Sequence, residues 1–265
     1  GADVTAVMVW TYLDQAHAGP SGRFDPDYSQ AVVSTALDNL LEAALGPDAA
    51  SEIDRLVVCD LPARGLLEAA EDADLLVVGA RGLGGFRALM LGSVSEQCLH
   101  HAPCPVAVVR QQPAEQTADE VAAGQPRIVV GIDGSANGQE ALRWALHEAR
   151  LRQAQLELVH AWRSPLVGFG PGSVVLDPEM MDADALKLLH EALDREDTDG
   201  LAAPVQFTTR SGSPAGVLLE AGTDADLVVT GSRGLGGFKG LLLGATSHQV
   251  ARHATSPLVV VPLSD

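Results

Sequence analysis

The sequence predicts an α/β protein of two tandem domains, each a doubly wound parallel sheet covered by helices. The first reason is that short runs of β-branched residues and leucine alternate with helical segments along the 265 residues. This alternation is typical of parallel sheets with right-handed crossovers. The second reason is an internal repeat, in which DLLVVGARGLGGFRALMLG at residues 74–92 returns as DLVVTGSRGLGGFKGLLLG at residues 226–244. Each repeat indicates a buried strand, a glycine-rich loop and a following helix.

The offset between the two copies stays constant far beyond this stretch. Trp10 and Trp162 are 152 residues apart, and so are Gly79 and Gly231. Solenoid arrays repeat about every 20–50 residues, so this offset indicates duplication of a whole domain. We therefore expect domains at residues 1–110 and 127–265. A linker rich in Gln, Glu, Ala and Pro joins them at residues 111–126.

Apolar periodicity and proline positions predict the elements of the first copy. Residues 28–45 carry apolar side chains at the 3.6-residue spacing of an amphipathic helix. A helix at 62–70 has Pro62 in its first turn, and a helix at 93–101 is stopped by Pro103. Strands are expected at residues 4–10, 56–59, 75–78 and 105–109.

The second copy repeats this plan and has an additional strand and helix at its start. Strands are expected at residues 128–132, 156–162, 205–209, 227–230 and 258–261, helices at 138–152, 178–196, 214–222 and 246–253, and a loop at 164–175. The counterpart of Asp133 in the first copy would precede residue 1, so that copy lacks its opening strand and first helix. Because the first strand of such a sheet is usually central, we expect the sequence to be part of a longer natural chain.

Charge and composition limit the kinds of molecule that this protein is expected to bind and the compartment in which it is expected to occur. The formal net charge is −18 and the isoelectric point is near 4.6, which argues against nucleic acid and anionic membranes as partners. No apolar run approaches the roughly 20 residues that span a bilayer. The three cysteines lie in the first half, and their odd number is no disulfide framework. We therefore expect a cytoplasmic protein.

The glycine-rich loop of the second copy is the predicted ligand site. Gly231, Gly234 and Gly244 remove Cβ atoms where backbone N–H groups could approach an anion, and a helix begins near Ala245. Asp133, at the end of the opening strand, could accept hydrogen bonds from a ribose hydroxyl or an adenine amino group. The alternative is that the glycines only shape a connection, since one such loop is a weak signal.

The loops also carry a family resemblance. The pattern Gly-x2-Gly-x9-Gly-[Ser/Thr], formed by Gly79, Gly82, Gly92 and Ser93, resembles that of the universal stress protein family. The second half matches through its three loop glycines and adds VVGIDGS at its start, and thus resembles the tandem, ATP-binding branch. The resemblance implies a Rossmann-like sheet of strand order 3-2-1-4-5, ATP in a cleft of each domain, and pairing of the domains through their last strands.

The resemblance also implies site residues. In the second copy, adenine and ribose contacts fall on Asp133 and Ala161, and phosphate contacts fall on Gly231, Arg233, Gly234, Gly244, Ala245 and Thr246. The corresponding residues of the first copy are Val9, Gly79, Arg81, Gly82, Gly92, Ser93 and Val94. Mg²⁺ could accompany the phosphates. Ala245 departs from the pattern, which has Ser or Thr there. The hydroxyl of Thr246 or Ser247 could substitute, and loss of the one hydrogen bond would cost about 1 kcal/mol, so we expect weaker binding and not its absence.

Other residues are open to two interpretations. Arg81 and Arg233 could face phosphates or solvent, and Cys98 and Cys104 could form a redox pair or be buried thiols. Solvent exposure is expected for Arg87 and Lys239, and core or cleft-wall packing for Trp10 and Trp162. The histidines near the last helix of each copy lack the ligand spacing of a metal site; they are His100, His101, His248 and His253.

The leading hypothesis is an ATP-binding stress protein in which the nucleotide acts as a switch, with little or no hydrolysis. No Walker-type lysine and no readable catalytic triad is present in the sequence. One alternative is a slow ATPase or another nucleotide-using enzyme of this fold, and a second is a nucleotide-free interaction module. Tandem copies would pair within the chain as a pseudo-dimer, and two chains could pair as a homodimer.

Overall fold

A computed structural model describes residues 2–11, 29–80, 91–110, 125–163, 166–167, 174–175, 177–236 and 242–263. The chain divides into two compact units, residues 1–73 and 74–265. Over the described ranges, every helix is too short or too polar to cross a bilayer. The domain boundaries expected from the repeat stay a prediction, because most of the linker lies outside these ranges.

The first unit is built on one pair of parallel strands. Strands β1 (Thr5–Trp10) and β2 (Asp54–Cys59) pair in register from Thr5 opposite Asp54 to Trp10 opposite Cys59. The helices are α1 (Gln30–Leu45), α2 (Pro47–Ser51) and α3 (Pro62–Ala69). The short helix α2 was not expected from the sequence. It forms because Gly46, at φ +79°, ends α1 and Pro47 then occupies the first position of a new helix.

The second unit contains one seven-stranded sheet with the order β3-β4-β11-β10-β5-β6-β9. Its strands are β3 (Leu76–Gly79), β4 (Val106–Val109), β5 (Arg127–Gly131), β6 (Gln155–Trp162), β9 (Gln206–Ser211), β10 (Leu227–Gly231) and β11 (Leu258–Val261). All neighbouring strands are parallel except β4 and β11, which are antiparallel.

Helices connect these strands as the alternating pattern predicts. They are α4 (Ser93–His101), α5 (Ala136–Arg152), α6 (Pro178–Leu193), α7 (Pro214–Ala221) and α8 (Ala245–His253). One expectation was wrong in detail: the region 164–175 is not loop throughout. Two short antiparallel strands, β7 (Leu166–Val167) and β8 (Val174–Val175), pair within it.

The strand order of the second copy is confirmed. In chain order its sheet strands are β5, β6, β9, β10 and β11, and in space they lie as β9-β6-β5-β10-β11, which is 3-2-1-4-5. In the first copy, β1–β2 and β3–β4 are two separate parallel pairs that belong to different sheets. The predicted α/β fold with parallel-dominated sheets is therefore correct for the described residues.

The core of the second unit surrounds β5 and β10. Strand β10 is buried along its whole length, and Ile128, Val129 and Val130 of β5 are fully buried. Helix α5 covers one face, where Leu142 and Leu146 join the same apolar cluster. A strand that is buried on both faces requires a continuous apolar run, which is why these strands could be recognised from the sequence.

The last strands of the two copies pair with each other, as the resemblance implies. Ala107 lies opposite Val259, with Val106 opposite Val260 and Val108 opposite Leu258 on either side. Ala107 and Val259 are themselves counterparts in the repeat. The register is therefore symmetric about this pair, and the local two-fold axis relating β4 to β11 passes between these two residues.

Candidate functional site

The turn after β5 places the Asp133 carboxylate at the end of the sheet. Its Oδ1 accepts a hydrogen bond from the backbone N–H of Ser135 at 2.9 Å. Gly134 between them has φ +82°, in the left-handed region that favours glycine. The hydroxyl oxygen of Ser135 then accepts from the N–H of Gly138 at 3.0 Å and caps α5. The segment IDGS thus holds one carboxylate at a fixed place beside a helix start.

The same carboxylate also contacts the glycine-rich loop. Oδ2 of Asp133 accepts a hydrogen bond from the N–H of Leu235 at 2.9 Å. A Cβ atom on Gly234 would lie 2.4 Å from this oxygen, so a side chain at 234 would force the carboxylate and the loop apart. Glycine at this position therefore permits the close approach of the loop to the Asp133 carboxylate.

Gly231 and Gly244 lie at two further close approaches, of which the one at Gly231 excludes a side chain and the one at Gly244 is only tight. A Cβ atom on Gly231 would lie 2.7 Å from the backbone carbon and oxygen of Asn137 on α5. At Gly244 it would lie 3.3 Å from the carbonyl oxygen of Ser232, to which the Gly244 N–H also donates at 2.7 Å. The buried Asn137 amide donates to the Ser232 hydroxyl at 2.8 Å. These contacts place the first turn of α5 and the start of α8 beside the end of β10.

The beginning of α8 presents backbone N–H groups at this edge. Gly244 precedes the helix, and Ala245 and Thr246 are its first residues, whose N–H groups have no partner within the helix. The Ser247 hydroxyl donates to the carbonyl oxygen of Gly231 at 2.6 Å and is buried. The Ser247 hydroxyl is therefore already hydrogen-bonded within the protein. Thr246 is the better candidate to replace the hydroxyl that Ala245 lacks.

Strands β5 and β6 separate at the same edge. Their pairing ends at Gly131 and Val159, after which the Ile132 N–H still donates to the Val159 carbonyl at 2.9 Å. The Nδ1 of His160 then lies 2.7 Å from the Ile132 carbonyl oxygen. Since a carbonyl can only accept, Nδ1 carries the hydrogen and Nε2 of the neutral ring is an acceptor. Sequence reasoning missed His160, although its position beside Ala161 at a strand end was a usable signal.

These elements enclose a cavity of about 480 Å³ at the carboxyl ends of β5, β6 and β10. The predicted second-copy residues all line it: Asp133, Ala161, Gly231, Arg233, Gly234, Gly244, Ala245 and Thr246. Apolar side chains of Ile132, Val159, Pro214 and Leu218 form another part of the lining. Its volume is in the range of small-molecule sites. Trp162, a candidate for the wall, directs its indole N–H to Asp182 at 3.0 Å.

The predicted first-copy residues lie in both units. Val9 belongs to β1 of the first unit. In the second unit, Gly79 ends β3, Gly92 precedes α4, and Ser93 and Val94 begin that helix. The contacts of α4 repeat those of α8: the Gly92 N–H donates to Ala80, and the Ser95 hydroxyl donates to Gly79 at 2.6 Å. Arg81 and Gly82 lie outside the described residues, as do Arg87 and Lys239.

The remaining candidate groups lie elsewhere in the second unit. Burial, together with the nearby Cys104, raises the pKa of the Cys98 thiol to about 11, and burial also raises that of Cys104. Both thiols are free, and raised pKa values make them poor nucleophiles. Where the structure describes the chain, no three His, Cys, Asp or Glu side chains form a cluster suited to a metal ion.

Comparisons with known proteins give a consistent result. The sequence model of the universal stress protein family matches residues 1–110 and 126–262. A universal stress protein of Mycobacterium tuberculosis is 32% identical over 242 residues, covering 90% of this chain and 78% of that relative. Another, from Mycolicibacterium smegmatis, is 36% identical over 203 residues, covering 75% of this chain and 65% of that protein.

The solved structures that resemble this chain include a universal stress protein from Archaeoglobus fulgidus. Its crystal structure matches with a TM-score of 0.64 and 24% identity, over 100% of this chain and 88% of its own length. At this level of identity the similarity concerns the fold.

Proposed function

The chain belongs to the universal stress protein family, and on that basis we propose that the second copy binds ATP in the cavity beside Asp133. One observation carries this proposal: a carboxylate, a helix N-terminus and an apolar wall line the same cavity. These three features match a ribose, a phosphate chain and an adenine ring. The cavity also lies at the carboxyl ends of parallel strands, where ligands of such sheets bind.

The phosphates would lie against the glycine-rich loop and the start of α8. The N–H groups of Ala245 and Thr246, with the positive end of the helix dipole, favour a bound anion. Arg233 is exposed at the cavity and would add a positive charge. Mg²⁺ would be held mainly by the phosphates, with the Thr246 hydroxyl as an available oxygen ligand.

The nucleoside would occupy the other half of the cavity. Val159, Pro214 and Leu218 offer apolar surface to the adenine ring. Each oxygen of Asp133 accepts one backbone hydrogen bond and has a second lone pair available for a ribose hydroxyl. Ala161 lies beyond the point where β6 stops pairing with β5. Its backbone lines the cavity and would be available to hydrogen-bond the edge of the adenine ring.

We further propose that ATP acts as a ligand switch with little or no hydrolysis. Asp133 and His160, which line the cavity, are both hydrogen-bonded to backbone groups. Side chains held in this way are better suited to positioning a ligand than to transferring a proton. In the first copy we propose Gly92, Ser93 and Val94 as phosphate contacts, because they begin α4 as Gly244, Ala245 and Thr246 begin α8. The free thiols suit a reducing compartment, and we infer a cytoplasmic location.

The test is to denature the purified full-length protein and quantify the released nucleotide by chromatography, with ATP titrations of nucleotide-free protein alongside.

Thr246→Asp places a negative charge at the start of α8, which favours the helix but repels phosphate. We expect at least tenfold weaker ATP binding with an unchanged melting temperature. Asp133→Ala removes the ribose acceptor, and we expect it to reduce bound nucleotide as well.

The matched control is Thr223→Asp, which makes the same charge change at an exposed residue in the turn between α7 and β10. It should bind ATP as the wild type does. Absence of nucleotide in the wild type, with no uptake from millimolar ATP, would overturn the proposal. Release of ADP instead of ATP, with turnover in solution, would support the ATPase alternative.

A further inference from the structure

The contact between the two copies brings counterpart residues together. In the pairing of β4 with β11, Ala107 lies opposite its own counterpart Val259. On the adjacent helices, Nε2 of His248 lies 3.0 Å from Oε1 of Glu96, and these residues are also 152 positions apart. In a symmetric dimer, a residue on the two-fold axis meets the same residue of its partner. Both contacts therefore lie on the local axis.

At both axis positions the two copies carry different and complementary residues. An ionised carboxylate only accepts hydrogen bonds, so His248 donates from Nε2 to Glu96. Alanine in one copy faces valine in the other at the centre of the strand pair. The side chains of Glu96 and His248 are 44% and 32% exposed, so each still has most of its surface covered by protein. The ring of His100 packs edge-on against His248 with 6.3 Å between centroids.

Pairing of like copies would lose both matches. Two first copies would place Glu96 against Glu96 and Ala107 against Ala107, with charge repulsion on the helices and a gap in the sheet. Two second copies would place His248 against His248, without the carboxylate that accepts its hydrogen bond, and would replace the Ala–Val pair by Val259 against Val259. Like charges that face each other across an interface are unfavourable, and rejection of a wrong partner by such contacts is a recognised source of specificity.

We propose that Glu96 and His248 make the edges of β4 and β11 specific for unlike copies. The partner that this surface fits is the other copy, and within one chain that copy is always present. Self-association of two chains through like copies at this edge is thereby disfavoured. The proposal concerns pairing alone and does not depend on nucleotide binding.

The first test is a charge-exchange cycle in the full chain. Glu96→His and His248→Glu each create a like pair, whereas the double exchange E96H/H248E restores an acid opposite a histidine. For a partly exposed pair we expect each single variant to lower the melting temperature by about 1–4 °C. The double variant should recover most of this loss. His147→Glu, the same change at an exposed site on α5, serves as the control and should show little effect.

A second test measures pairing directly with a short bis-maleimide reagent in a Cys59→Ser background. Glu96→Cys combined with His248→Cys should give a cross-link within one chain. Each single cysteine variant is the control for the reagent, since it offers only one accessible thiol per chain and should give no link within the chain. The buried Cys98 and Cys104 should not react.

Two results would overturn the proposal. If the losses of the single variants simply add in the double exchange, Glu96 and His248 are not coupled. If neither single charge variant lowers the melting temperature, a like pair at this position carries no penalty.

Discussion

His100 is a residue whose surroundings set a pH dependence. Burial lowers the pKa of its imidazole below the ordinary value, and the charges of His101 and His248 act in the same direction, while the Glu96 carboxylate opposes them. The folded state therefore binds a proton at His100 less readily than the unfolded state does. The stability that His100 contributes is complete above the ordinary histidine pKa of about 6.5 and is lost as the pH falls through the lower, folded-state value.

From this we predict that His100→Gln makes the protein less sensitive to acid. Glutamine keeps a polar side chain of similar reach but cannot take up the proton. The melting temperature should fall less between pH 8 and pH 5.5 in the variant than in the wild type. His253→Gln, at an exposed site on α8, provides the comparison and should behave as the wild type does. Equal acid sensitivity of the His100 variant would contradict the assignment.

At the level of elements, the close packing of α5 against β10 depends on the absence of a side chain at Gly231. In Gly231→Ala the added carbon would meet the Asn137 backbone at 2.7 Å, which cannot rotate away as a side chain can. Overpacking of this kind costs about 1–3 kcal/mol, so we predict a melting temperature lower by at least about 2–4 °C. Thermal unfolding of the variant measures this.

Gly236→Ala is the matched comparison for this prediction. A Cβ atom there would meet nothing within 4 Å, and the residue lies in the same loop. We expect its melting temperature to stay near that of the wild type. An equal loss in both variants would show that the loop conformation, and not helix packing, is sensitive to the methyl group.

Most elements could be predicted from the sequence because their signals are local. The apolar run 227–230 and the helix ended by Pro103 need no knowledge of distant residues. The pair β7–β8 and the helix α2 were missed because two-residue strands and a five-residue helix are too short to show a period.

The residues that line the cavity could be predicted from the sequence, but their contacts could not, and their role in ligand binding stays a prediction. Loop spacing and family resemblance placed Asp133 and the three loop glycines at one ligand site, and the structure brings them to one cavity. The sequence could not show that Asp133 accepts a hydrogen bond from Leu235, 102 residues later. Nor could it show that the Ser247 hydroxyl donates to the carbonyl oxygen of Gly231. Hydrogen bonds of this range depend on the folded arrangement of several elements, and no periodicity encodes them.

At the scale of the whole molecule, the two units differ in how completely their strands are covered. Strands β1 and β2 form a two-stranded sheet in which most residues are exposed or half-buried. Strand β10 is fully buried within a seven-stranded sheet. Two-stranded sheets are marginal by themselves, and poorly covered strands open at lower free energy than core strands.

We therefore predict that native-state hydrogen exchange separates the two units. Backbone amides of β1 and β2 should exchange at least tenfold faster than those of β5 and β10, as read by mass spectrometry of peptides from the full chain. Equal protection of both sets would mean that the two units open only together.

The antiparallel seam between β4 and β11 has a directional consequence. Strands β3 and β4 run one way and β10 and β11 run the other, so Gly79 and Gly231 end their strands at opposite borders of one sheet. Under the proposed function, nucleotides bound beside these two glycines would therefore be reached from opposite sides of the sheet.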